Sequence, residues 1–205
     1  MAIIDYIEYT LGTLLSCIRG HDSKLFTKGP AFSDFPAPNI NLECPECGPS
    51  GSAMHYHHTS FATEDFPHLT WKDTPPGTVE YLLVVEDADS PIPSPVCHGI
   101  YYGIPASRNQ LTAEEFHVIK DDGNEKKLSG GFHYGDIVKG KHYIGARAVL
   151  GHGPHRYVYQ LVALREKLDV RPMGGKVTKD VVGRAIEGKV GGWGVWIGTW
   201  ERVWE

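Results

Sequence analysis

Asp87, His98, His155 and Tyr157 are the side chains of this 205-residue chain whose types and placement fit one another chemically. The apolar run from Tyr81 to Val85 reads as a strand that delivers Asp87 and Asp89 to a turn marked by Pro91, Pro93 and Pro95, and His98 opens the next strand. Further on, Gly151, Gly153 and Pro154 make a turn, after which His155, Tyr157 and Tyr159 share one strand face by the two-residue period. Two imidazoles and a phenol supply donors to a phosphate or carboxylate, while an Asp carboxylate orients or charges a His. The expected chemistry is capture of a small anion. Taken alone, Asp87 reads more simply as a turn-capping carboxylate.

The motifs are DADSP from Asp87 to Pro91, His98 within CHGIYYGIP, and GPHRY from Gly153 to Tyr157. In this order and spacing they resemble the phosphatidylethanolamine-binding protein family, over the chain from roughly Phe26 to its end. PHLTW at Pro67 to Trp71 and GGFHYG at Gly130 to Gly135 resemble its fungal branch. The resemblance implies a mainly β fold: an antiparallel β-sandwich with peripheral helices and a small pocket at one end, faced by Asp87, His98 and His155 with Tyr157 nearby. It also implies backbone N–H contacts to the anion near a glycine, for which Gly145 is the nearest match. Two departures stand out. Ala88 replaces a proline, and GARAVL from Gly145 to Leu150 replaces a proline-rich approach, so backbone N–H groups return and Arg147 adds a cation near the site. Both point to a ligand other than the family's usual head group.

The elements that would position these groups follow from pattern. Strands are expected near Met54 to Phe61, Tyr81 to Glu86, Gly99 to Ile104, Lys141 to Ala146, Arg156 to Ala163 and Val195 to Trp200, with a short helix from Thr178 to Glu187 stopped by Gly188. At about 100° per residue, Ile3, Ile4, Ile7, Leu11, Leu14, Leu15 and Ile18 fall on one arc, with Asp5, Glu8, Gly12 and Ser16 outside it. Residues 1–20 are therefore expected to form an N-terminal amphipathic helix that docks on its own domain or on a second copy in a homodimer, and residues 21–205 a single sandwich domain. Its polar face lacks the Lys/Arg richness of a membrane-surface helix.

Composition excludes several classes. With 41% hydrophobic and 22% charged residues the chain can bury a core, and 20 Lys plus Arg against 25 Asp plus Glu, net charge -5, argue against nucleic acid. No transmembrane or secretory segment is expected, and four cysteines make no disulfide framework, so the protein reads as cytoplasmic. Eleven histidines give it charge that changes near neutral pH.

Other groups invite chemistry and yield plainer readings. Cys97 beside His98 suggests a thiolate nucleophile, yet adjacent strand residues face opposite ways. The CPEC stretch from Cys44 to Cys47, followed by His55, His57 and His58, has zinc-like spacing. It lacks a second ligand pair, and no metal or cofactor is expected. The leading function is binding of a small anionic ligand by Asp87, His98, Gly145, His155 and Tyr157. An alternative is an enzyme or accessory factor of fungal polyketide metabolism. There His98 or His155 would act as a base toward a carboxylate- or anhydride-bearing substrate, helping cyclisation or coupling. A second alternative, suggested by animal and plant relatives, is a kinase or signalling regulator.

Overall fold

The computed structural model describes residues 3–123, 125–170 and 175–204. In chain order its elements are α1 (Ile3–Leu15), β1 (Asn41–Glu43), β2 (Leu69–Lys72), β3 (Glu80–Asp87), β4 (Val96–Pro105), β5 (Gln110–Leu111), β6 (Val118–Asp121), β7 (Lys126–Leu128), β8 (His133–Tyr134), β9 (His155–Leu164), α2 (Lys179–Ala185) and β10 (Val190–Trp200). Seven strands pair in the order β10-β9-β3-β4-β8-β7-β6, and β1-β2-β5 make a smaller sheet; every ladder in both sheets is antiparallel. The fold is mainly β, with few helices.

The large sheet is covered on both faces, so its central strand β3 is buried along its whole length and reads as an unbroken run, EYLLVVED. Tyr81, Leu83 and Val85 pack with Leu69, Trp71, Leu111, Tyr159 and Trp196 between the sheets. Leu82, Val84 and Val162 point the other way, under Phe26, Phe32 and Trp193, Val182 of α2 and Ile186 just beyond its end. The same alternation aims Glu86 at the outer layer. Its carboxylate, with no exposure, accepts from Phe26 N (2.7 Å), Gln160 Nε2 (2.8 Å) and Lys179 Nζ (2.5 Å), which fastens the 26–28 turn and the start of α2 to the sheet.

Two expected strands are absent. From Met54 to Phe61 the chain makes a 3₁₀ turn at Tyr56–His58, and from Lys141 to Ala146 only an isolated bridge between Thr59 and Ala146 forms. These segments brace one another: Ala146 N donates to His58 O (3.1 Å) and Ser60 N to Ala146 O (3.1 Å). Local β propensity yields to pairing with a turn rather than with the sheet.

Helix α1 ends at Leu15, short of Gly20, and packs by the face opposite to its apolar arc. Gly12 is its buried residue, against Leu150, where a Cβ would overlap the Leu150 carbonyl oxygen. Glu8 accepts from Leu150 N (3.2 Å) and, with Asp5, grips Arg202 (2.8 and 3.0 Å). Trp204 packs edge-on against Tyr9. Ile3, Ile4, Ile7, Leu11 and Leu14 stay exposed. Periodicity identified the apolar arc correctly, but close backbone approach at a glycine decided which side docks on the domain.

Gly12→Val is expected to release α1 while the sandwich stays folded. Limited proteolysis should then cut within residues 3–20 at least about tenfold faster at an unchanged melting transition of the core; equal cleavage of the two proteins would refute the glycine contact.

Candidate functional site

The end of the inner face of β3, the start of β4 and the start of β9 bring Asp87, His98, His155 and Tyr157 together, as the antiparallel pairing of Asp87 with Tyr157 requires. All four are buried. His155 Nδ1 meets Asp87 Oδ2 at 2.8 Å, and Asp87 Oδ1 accepts from Asp89 N (2.9 Å). Rings of His98 and His155 flank Tyr157, with centroids 5.3 and 6.5 Å from it.

A residue that sequence reasoning passed over completes the group. His152, inside the turn ahead of β9, places Nδ1 2.8 Å from His155 Nε2 and Nε2 3.0 Å from Leu15 O, at the end of α1. Leu15 O only accepts, so His152 Nε2 carries a hydrogen, and the Asp87 carboxyl group pairs with His155 Nδ1. Burial, chiefly, and the neighbouring His155 push His152 below its ordinary range.

His98 Nδ1 donates to Ile144 O (2.8 Å), leaving the lone pair on Nε2, and burial pushes its protonation below the ordinary value. The Tyr157 hydroxyl oxygen accepts from Arg147 N (2.8 Å), so its own hydrogen is left to donate, and burial keeps the phenol protonated. The site thus holds a bare imidazole nitrogen, a phenolic donor and an Asp–His pair, all of them buried.

The departures from the family pattern have structural uses. Ala88 N donates to Arg156 O (2.9 Å), a bond that proline cannot make, and Ala88 O accepts from His21 N (2.9 Å). Arg147 contributes its backbone to Tyr157, but its guanidinium lies 5.6 Å from the Phe61 ring centroid. Gly145 is pressed against the backbone from His58 to Ser60, where a Cβ would come within 2.6 Å of His58 O. Asp89 turns away from the other four to grip Arg156 through both carboxylate oxygens (2.8 Å each); Arg156 also holds Asp22 (2.8 and 2.9 Å). With Arg19 donating to His152 O (2.6 Å), these bonds fasten residues 19–22 over the site. Cys97 faces the opposite side of the sheet from His98, and burial pushes its thiol up to about 12, which leaves it an inert small side chain.

Comparison with known proteins agrees with this architecture. Residues 41–201 match the family model described as phosphatidylethanolamine-binding protein. The chain is 38% identical over 204 residues to Phomoidride biosynthesis cluster protein B of a fungal species, covering 100% of this chain and 98% of that protein. It is 36% identical over 203 residues to the protein of the same name in Talaromyces stipitatus, covering 98% and 84%. Among solved structures, E. coli YbcL matches with a TM-score of 0.66 at 22% identity, covering 80% of this chain and 98% of that one. A phosphatidylethanolamine-binding protein homologue from Chlamydia trachomatis matches with a TM-score of 0.64 at 19% identity, covering 81% and 99%. At these identities the structural likeness is one of fold.

Depressed histidines set a pH dependence. His98 and His152, and His142 likewise, take up a proton less readily in the folded protein than in an unfolded chain, which protonates them near about pH 6.5. The unfolded state therefore gains more protons as pH falls through that value, and stability falls with it. The melting temperature should decline between about pH 7 and 5, with a shallower slope in His98→Gln; parallel curves would show that His98 titrates alike in both states.

Proposed function

This chain belongs to the phosphatidylethanolamine-binding protein family, and from that premise we propose that it captures a small phosphate- or carboxylate-bearing ligand at Asp87, His98, His155 and Tyr157, aided by the backbone of Gly145. The observation that carries the reading is the unspent donor of Tyr157 beside the buried Asp87–His155 pair. An entering anion accepts from Tyr157 and brings a proton onto His98 Nε2, turning that ring into a cationic donor. No cofactor enters this scheme, and the expected setting is the cytoplasm. Among the described residues no helix is long and apolar enough to cross a membrane.

A second reading rests on a separate observation, the near full-length identity to proteins named for a fungal biosynthesis cluster. In it the ligand is a substrate with an acidic C–H beside a carboxylate or anhydride, and the protein assists its cyclisation or coupling. Both His155 nitrogens are engaged, so the base is His98 Nε2, while Tyr157 donates to the resulting enolate.

The exposed arc of α1 extends the proposal to a homodimer. The segment IIDYIEYTLGTLL carries two acids and no base, which disfavours an anionic membrane, whereas a second copy offers the same apolar strip for a two-fold contact. Leu11→Glu with Leu14→Glu should leave a monomer in sedimentation. Sedimentation unchanged from wild type would remove the dimer.

The binding test is calorimetric titration with phosphate, phosphorylethanolamine and small dicarboxylates. Affinity should rise as pH is lowered from about 8 to 6.5, because the bound anion draws a proton onto His98. His98→Ala and Tyr157→Phe should each weaken binding by about tenfold or more. Equal binding by wild type and both variants would sink the site. Turnover of a candidate substrate that vanishes in His98→Ala would favour the second reading.

A further inference from the structure

The Cys44–Cys47 loop and the histidines after it do not lie as a strand would place them. The 3₁₀ turn at Tyr56–His58 carries His58 inward to 1% exposure and leaves His55 exposed at its lip. His58 N donates to His55 O (3.1 Å) and Gly48 N to Cys44 O (2.9 Å), so the turn and the loop are each closed on themselves and face one another. One ring nitrogen of His55, one of His58 and Cys47 Sγ all lie within 4.8 Å of one another.

His58 is the most informative member. Its Nδ1 donates to Asp65 O at 2.9 Å, which puts the lone pair on Nε2. That Nε2 is buried and makes no well-aligned hydrogen bond among the described residues; the Cys47 thiol faces it, and Glu46 Oε1 stands 3.4 Å off. A buried acceptor left unpaired is costly unless something else takes the lone pair. An imidazole whose far nitrogen is anchored to a carbonyl and whose bare nitrogen faces a cysteine sulfur is arranged as a metal ligand is.

We propose that Cys47 Sγ, His55 and His58 Nε2 bind a divalent zinc ion. One sulfur and two imidazoles suit a borderline-soft cation and disfavour magnesium or calcium. Tetrahedral zinc, about 2.3 Å from sulfur and about 2.0 Å from nitrogen, holds ligand atoms about 3.3 to 3.5 Å apart, so the three need close by at most about 1.5 Å. Three protein ligands leave a fourth position for water on the open, His55 side. The Cys44 thiol, in hydrogen-bonding contact with Cys47, is placed to support the sulfur from outside the coordination shell. The site is separate from the anion pocket, and the two stand or fall independently.

The test uses the full chain purified without a histidine tag, stripped of metal, and titrated with zinc against a chromophoric chelator. One zinc per chain is expected, together with a rise in melting temperature. Cys47→Ser and His55→Gln should each lower affinity at least about tenfold; His55 is exposed, so its variant tests the site without disturbing the core. Cobalt should give a thiolate-to-metal charge-transfer band that Cys47→Ser lacks. Substoichiometric zinc in the wild type, equal uptake by both variants, or a Cys44–Cys47 disulfide in the reduced-handled protein would overturn the proposal.

Discussion

Two neighbouring carboxylates, Glu86 and Asp87, are buried at the end of a strand covered on both faces, and each must be answered on its own side of the sheet. A buried, unanswered carboxylate costs several kcal/mol, so the partners are obligatory rather than decorative. Glu86 gathers Lys179, Gln160 and Phe26 N, and with them the start of α2 and the 26–28 turn. Asp87 gathers His155 and, through it, His152 and the end of α1. The outer layer and the site are thus two solutions to one problem set by adjacent acids on a β-strand.

That origin explains the division of labour among the site's histidines. His155 is committed to a carboxylate and to a neighbouring ring, so its protons are structural. His98 is anchored by one nitrogen only, to Ile144 O, and keeps the other for chemistry. Two residues of the same type, side by side around Tyr157, therefore differ in what they leave free because of what their second nitrogen meets.

Much of this was legible in the chain. Strands β3, β4, β9 and β10 were visible because central strands leave long apolar or alternating runs, and the family resemblance joined Asp87, His98, His155 and Tyr157 across the intervening sequence. What escaped depends on tertiary contact. His152 sits in a glycine-rich turn with no periodicity to mark its direction, and nothing in the strand pattern around Arg156 marks that its fork meets Asp89 and Asp22. The segments at Met54 to Phe61 and Lys141 to Ala146 have strand-like composition but pair with one another outside the sheet. The docked side of α1 was hidden for a different reason: hydrophobic periodicity reports apolar area, and Gly12 has almost none to report.

The seat of α1 has a kinetic consequence. Its end and the following residues 19–22 bond to the turn and strand ends around the buried site, so on the proposed binding reading the closed arrangement gives way before a ligand enters. Association through such a closed state would proceed no faster than the helix lifts, and the observed rate would level off with increasing ligand instead of climbing in proportion to it. On that reading a contact made by a residue without a side chain sets the pace of entry.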